Sequence, residues 1–137
     1  MRTINKIILH CSATKEGQFF TVSDIDRWHK QRGWKGIGYH YVILQDGTVQ
    51  IGRPESEIGA HTVGQNLHSI GICYIGGLDL TGGPKDTRTA QQRIALKKLV
   101  SDLRKKYPAS SVHAHNEFAD KACPCFDVKK EFNFSIN

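Results

Sequence analysis

Histidine and cysteine, the side chains that most readily bind a borderline-soft metal, gather at two places far apart in this sequence. His10 and Cys11 are adjacent near the start, while His113 and His115 stand a few residues before Cys123 and Cys125 near the end. Two imidazoles and a thiolate suit zinc. A set of three protein ligands such as His10, His115 and Cys123 leaves a fourth position for water, which is the arrangement of a catalytic rather than a structural site. Spacing alone leaves the choice open. His113 competes with His115 from the same strand face, Cys11 competes with His10 from the opposite face, and Cys125 with Cys123 could complete a four-ligand structural site. Pro124 biases Cys123 toward an extended conformation, in which Lys121 and Cys123 project to the same side, so one arm would deliver a ligand and a cation to one place.

Such residues need elements to hold them. Lys6 to Ser12 is a short apolar run with the length of a buried strand, and His10 falls near its C-terminal end. Thr21-Val22-Ser23-Asp24 reads as a capping box with Asp in place of Glu or Gln. Ile25, Trp28 and His29 follow at helical spacing and Gly33 is a stop, which predicts a helix over about residues 22 to 32. Asp46-Gly47, between the alternating stretches Tyr39 to Leu44 and Thr48 to Gly52, predicts a β-hairpin; along its first strand Tyr39, Tyr41 and Ile43 would face one side and His40, Val42 and Leu44 the other. Glu55 to Leu67 is polar and reads as a loop. Ser69 to Ile75 is a further interior strand, ended by Gly76-Gly77, and Leu78 to Thr87 is rich in turn residues. From Thr89 to Lys106, Ile94, Leu96, Leu99, Val100 and Leu103 recur at three-to-four spacing, an amphipathic helix that Pro108 ends. Ser111 to His115 is a short strand, followed by an irregular segment from Asn116 to Phe126 and a last helical turn or two at Asp127 to Phe132. Strands and helices alternate, which predicts an α/β fold with a central mixed β-sheet flanked by helices.

A length of 137 residues, 39% hydrophobic and 23% charged, fits one domain over residues 1–137 with a single core and excludes a two-domain enzyme. No stretch approaches the roughly 18 to 20 apolar residues of a membrane helix, and the opening Met1-Arg2-Thr3-Ile4-Asn5-Lys6 turns polar before a signal-like segment can form. The expectation is a monomer made in the cytoplasm without a signal peptide. With no export signal, the four cysteines are expected to serve metal binding, catalysis or packing rather than disulfides. Lys and Arg number 19 against 13 acidic residues, a formal charge of +6 that should attract an anionic polymer; nucleic acid and bacterial wall material both satisfy it.

Several ordered segments are more specific than any of these features. Leu9-His10-Cys11-Ser12-Ala13-Thr14, Gly38-Tyr39-His40-Tyr41, Gln45-Asp46-Gly47-Thr48-Val49, Gly59-Ala60-His61, Asn66-Leu67-His68-Ser69-Ile70-Gly71-Ile72 and Ala114-His115-Asn116-Glu117-Phe118-Ala119-Asp120-Lys121-Ala122-Cys123-Pro124 occur in that order. Together they closely resemble the type 2 zinc-dependent N-acetylmuramoyl-L-alanine amidases, a family that includes the phage lysozymes of the amidase kind and the peptidoglycan recognition proteins. The resemblance runs from about Lys6 to Phe132 and is strongest to the phage-lysozyme branch. It implies a hydrolase that cleaves the amide between N-acetylmuramic acid and the L-alanine of the stem peptide, in the manner of an endolysin. It implies one zinc ion held by His10, His115 and Cys123, with Tyr39 and Lys121 as catalytic groups beside the metal and His61 in a loop bordering the substrate cleft. It implies as partners intact peptidoglycan after release to the wall, or soluble muropeptides in the cytoplasm, and, as in some phage relatives, a contact with a polymerase. Cys125 departs from the family, where a small residue such as Ser or Gly often stands, and His113 has no role by resemblance.

Overall fold

The computed structural model describes residues 2–132, and its elements follow the sequence periodicity closely. The chain runs β1 (Lys6–Cys11), β2 (Thr14–Lys15), α1 (Val22–Gln31), β3 (Tyr41–Ile43), β4 (Val49–Ile51), β5 (Ser69–Tyr74), β6 (Gly77–Leu78), α2 (Ala90–Lys106), β7 (Ser111–Ala114) and α3 (Val128–Glu131). Five strands form one mixed sheet in the order β4-β3-β5-β1-β7, in which only the β3–β4 hairpin pair is antiparallel. The hairpin turns where expected, with Gly47 at a φ of +89° and its N–H donated to the Leu44 carbonyl. A two-stranded ribbon, β2 with β6, was not anticipated; both strands are only two residues long, too short for an alternating pattern to show.

Alternation along the interior strands divides the core between the two sheet faces. Ile7, Leu9, Ile70, Ile72 and Tyr74 pack with Leu96, Val100 and Leu103 of α2, while Val42, Cys73 and Ile75 pack with Ile25 of α1. Helix α2 is locked in register by a reciprocal capping box: Thr89 Oγ1 accepts from the Gln92 N–H and Gln92 Oε1 accepts from the Thr89 N–H. The buried Gln92 amide then donates to the Ile43 and Ile75 carbonyls at 3.2 and 3.0 Å, tying the first turn of the helix to β3 and to the residue following β5. Arg88 is buried between Asp86 and Glu131, with its guanidinium 3.4 Å from the centroid of the Phe126 ring, and so anchors α3 and the segment before it.

Two local expectations are corrected. Tyr39 does not share a face with Tyr41 and Ile43, because residues 37–40 lie outside the regular strand; Tyr39 packs beside Val42 and Trp28 instead. At Gly38 the backbone passes so close to Ala60 that a Cβ would lie 2.1 Å from its carbonyl oxygen, and this contact sets the chain's path before β3. The segment carrying Lys121 and Cys123 is a turn rather than an extended arm: the Cys125 N–H donates to the Ala122 carbonyl at 2.8 Å.

Candidate metal centre and cleft

His10 occupies the last turn of alternation on the α1 side of β1, opposite Cys73 of β5, and is buried. Parallel β7 lies beside β1 and ends at Ala114, so His115 opens a 3₁₀ turn at the same edge of the sheet and swings toward the end of β1. His10 Nδ1 and His115 Nδ1 are 3.2 Å apart, and Cys123 Sγ lies 3.9 Å from His10 Nδ1. The three ligand atoms all fall within 4.8 Å of one another. A tetrahedral zinc with bonds of about 2.0–2.1 Å to nitrogen and about 2.3 Å to sulfur would place its ligand atoms roughly 3.3–3.6 Å apart. The two edges at His10, 3.2 and 3.9 Å, lie near those lengths, and the third closes onto such an ion by a shift of the His115 or Cys123 side chain.

Cys123 is held from several sides. Its sulfur accepts the Cys11 N–H at 3.2 Å, its carbonyl accepts the Asn116 N–H at 3.0 Å, and the next carbonyl, that of Pro124, accepts the hydroxyl of the buried Tyr74 at 2.7 Å. The competing residues are drawn elsewhere. His113 is engaged by Ser111 Oγ at 2.6 Å and Glu117 at 2.9 Å. Cys11 and Cys125 face each other with sulfurs 3.9 Å apart. Both are held as thiols: the Cys123 contact and burial push Cys11 far up, and burial with the neighbouring Cys11 pushes Cys125 to about 12. All four cysteines are free.

Their surroundings disfavour the protonated form of both imidazoles. Burial holds His10 well below its ordinary value, with His61, His115 and Lys121 adding to the effect, and burial followed by the Lys121 charge lowers His115. Neutral rings present the lone pairs a metal needs. The open side of the triangle faces a cleft of about 190 Å³ lined by Tyr39, Lys121, Trp28, His29 and Arg32, as well as by His115 and Cys123. Burial, reinforced by the thiols of Cys73, Cys123 and Cys11, raises the Tyr39 phenol well above 10, so it stays a hydrogen-bond donor across the working pH range. Lys121 lines the same cleft, and among the described residues no carboxylate pairs with it.

His61 lies in the expected loop, between β4 and β5. It is 8% exposed and lies behind His10, its Nδ1 2.9 Å from His10 Nε2, not on the cleft wall. The cleft instead acquires Trp28 and His29 from α1 and Arg32 from its C-terminal cap, none of which sequence reasoning had assigned to a site. The signal was present in part. With Ile25 these residues stand at i, i+3, i+4 and i+7, one face of a helix, and that face carries more polar and aromatic character than packing alone requires.

Comparison with known proteins agrees with this architecture. Residues 1–126 match the family model described as N-acetylmuramoyl-L-alanine amidase. The endolysin of Escherichia phage T7 is 45% identical over 124 residues, an alignment covering 90% of this chain and 82% of that protein. The solved structure of the N-acetylmuramoyl-L-alanine amidase LysC from Clostridium intestinale URNW superposes with a TM-score of 0.81 at 32% identity, covering 96% of this chain and 87% of that one. Wild-type Drosophila PGRP-LB superposes with a TM-score of 0.81 at 27% identity over 99% of this chain and 83% of its own.

Proposed function

The chain belongs to the N-acetylmuramoyl-L-alanine amidase family, and from that premise we propose that this peptidoglycan-cleaving amidase works as a zinc enzyme. In this reading His10, His115 and Cys123 hold the ion, and Tyr39 and Lys121 act on the amide between the lactyl group of N-acetylmuramic acid and L-alanine. The observation that carries the reading is the triangle of ligand atoms at the end of β1, with its free side turned to the cleft that Tyr39 and Lys121 line.

An unactivated amide resists water at neutral pH, so both the nucleophile and the carbonyl need help. Zinc, when bound, supplies a Lewis acid for the carbonyl and lowers the pKa of water from about 15.7 to around 7. The residues do the rest. Hydrolysis adds hydroxyl to the lactyl carbonyl carbon and a proton to the departing alanine nitrogen, and between those events negative charge builds on the carbonyl oxygen. The Lys121 ammonium stabilises that charge more than it stabilises the bound substrate, which is the condition for accelerating the step. The Tyr39 phenol stays protonated, so no phenolate is available to act as a base. Held protonated, it orients the attacking oxygen through a hydrogen bond and gives a proton late, toward the leaving amine. Intact wall or soluble muropeptides present the same bond, and both are substrates in this reading.

The test is mass spectrometry of purified peptidoglycan digested with the protein, with a chelator, and with zinc restored. Stem peptides with a free N-terminal L-alanine are expected, lost on chelation and recovered with zinc. A full digest in the presence of the chelator, from protein shown to be metal-free, would refute the zinc requirement.

A further inference from the structure

The imidazole of His10 uses both of its nitrogens. Nδ1 faces His115 and Cys123, whereas Nε2 faces His61 Nδ1 at 2.9 Å and Thr62 Oγ1 at 3.3 Å. His61 continues the chain, with its Nε2 3.2 Å from Ser69 Oγ. A neutral imidazole that offers a lone pair at Nδ1 carries its proton at Nε2 and needs an acceptor for it. His61 Nδ1 is the nearer acceptor at 2.9 Å, with Thr62 Oγ1 at 3.3 Å from the same nitrogen and 3.0 Å from His61 Nδ1; with Nδ1 accepting, the proton of His61 sits on Nε2, directed at Ser69. The three side chains are thus compatible with a single proton arrangement running from the metal triangle into the core.

The ring of His61 has little freedom to leave this line. A Cβ on Gly71 would lie 2.6 Å from its Cγ and Cδ2, and one on Gly59 would lie 2.6 Å from its Cδ2. Neither glycine has a positive φ, so these positions lack side chains to make room for the imidazole rather than to permit an unusual backbone. The loop bearing it is pinned as well: the N–H groups of His61 and Thr62 both donate to Asn66 Oδ1, at 3.0 and 2.9 Å.

We propose that His61 is a positioning residue for the metal centre: by accepting the Nε2–H of His10 it fixes the tautomer and orientation of that ligand, and thereby sets the affinity of the site for zinc. The inference rests on His10 being a zinc ligand. Partners of this kind are worth about 10- to 100-fold in metal affinity.

The experiment measures the zinc dissociation constant of the folded protein by competition with a chromophoric chelator, for the unsubstituted chain, His61→Ala and His61→Gln. Thermal midpoints of the zinc-free forms serve to match their folding. The expected result is a loss of about 10- to 100-fold in His61→Ala. His61→Gln should recover most of it, because its amide oxygen can accept from His10 while its amide nitrogen donates toward Ser69. Nitrogen-15 spectra of histidine-labelled, zinc-loaded unsubstituted protein should show His10 protonated at Nε2, a measurement that needs no substitution to fold. Equal zinc affinity in His61→Ala and the unsubstituted chain, or a proton on His10 Nδ1, would overturn the role of His61 while leaving the zinc site standing. Failure of the unsubstituted protein to bind zinc at all would sink the site and this proposal together.

Discussion

Lys121 and Cys123 are separated by a single residue in one turn, yet the proposed chemistry gives them different tasks, and substitution separates the two. Cys123→Ala and His10→Ala should lose both zinc and activity, because two remaining ligands cannot hold the ion against competition from water. Lys121→Ala should keep its zinc and lose about 10²- to 10³-fold in kcat, the usual cost of removing one group that stabilises a developing oxyanion. Metal analysis beside turnover on soluble muropeptides checks both outcomes. Wild-type turnover by zinc-free Cys123→Ala would contradict the ligand assignment, and loss of zinc from Lys121→Ala would show that the lysine supports the site rather than the reaction. Cys123→Ser is a softer test, since a serine oxygen still binds zinc, though weakly. The ligand types were readable from the chain. The selection of His115 over His113 by contact was not, because the two differ by one alternation of a strand and their fates depend on β7 ending at Ala114.

Among the elements, α2 was the most legible, since its apolar stripe, its Thr89 start and its stop near Pro108 all agree. What the stripe did not disclose is Gln92, a polar residue wholly buried in the first turn. Its amide joins the helix to β3 and to the residue following β5 through the Ile43 and Ile75 carbonyls, while its oxygen completes the helix cap. Gln92→Ala should therefore destabilise the fold by about 1–3 kcal/mol, the range for leaving buried polar groups unsatisfied together with weakening a cap. Urea denaturation would measure it; a midpoint unchanged from the unsubstituted protein would mean that water replaces the amide without cost. The hairpin was equally readable at its Asp-Gly turn but misread at its start, where the close passage of Gly38 against Ala60 takes Tyr39 out of the strand's alternation and into the cleft wall.

Across the whole molecule, buried histidines make stability depend on pH. His29 is lowered to about 4 by burial and by the charges of Arg32 and Arg53, and its Nδ1 accepts the Gly38 N–H at 2.9 Å, a bond only the unprotonated nitrogen can make. The native state thus refuses a proton that the unfolded chain takes up near 6.5. The contribution is fully present above pH 6.5 and is lost as pH falls through about 4. His61, lowered to about 3 by burial first and then by His40, acts in the same direction. Denaturation midpoints should be level above pH 7 and fall as acid is added, and His29→Asn, whose amide oxygen can accept the same bond, should fall less steeply between about pH 6.5 and 4. An identical slope in the variant would remove His29 from the account. The +6 charge belongs to this scale too. With Lys97, Lys98 and Lys105 exposed on α2, lysis of intact wall should weaken several-fold as salt is raised from about 0.05 to about 0.3 M, whereas hydrolysis of a small soluble muropeptide should change little. Equal salt dependence on both substrates would confine the effect of charge to the cleft. Among the described residues no helix is long and apolar enough to cross a membrane.

Periodicity determined the strands and helices of this protein, because whether a side chain meets core or solvent is written locally, at spacings of two or of three to four residues. Composition and residue type determined the chemistry available: imidazole and thiolate for a soft-to-borderline metal, an ammonium for a developing negative charge. Only the tertiary structure decided which of these groups meet. His10 and His115 are 105 residues apart and touch because β1 and β7 are parallel neighbours ending at one edge of the sheet. His61 reaches the far nitrogen of His10 because two glycines from separate segments leave room for its ring. Local sequence carries no record of such distant packing, since which strands lie side by side is settled by the connections and packing of the whole chain and not by one strand's own alternation.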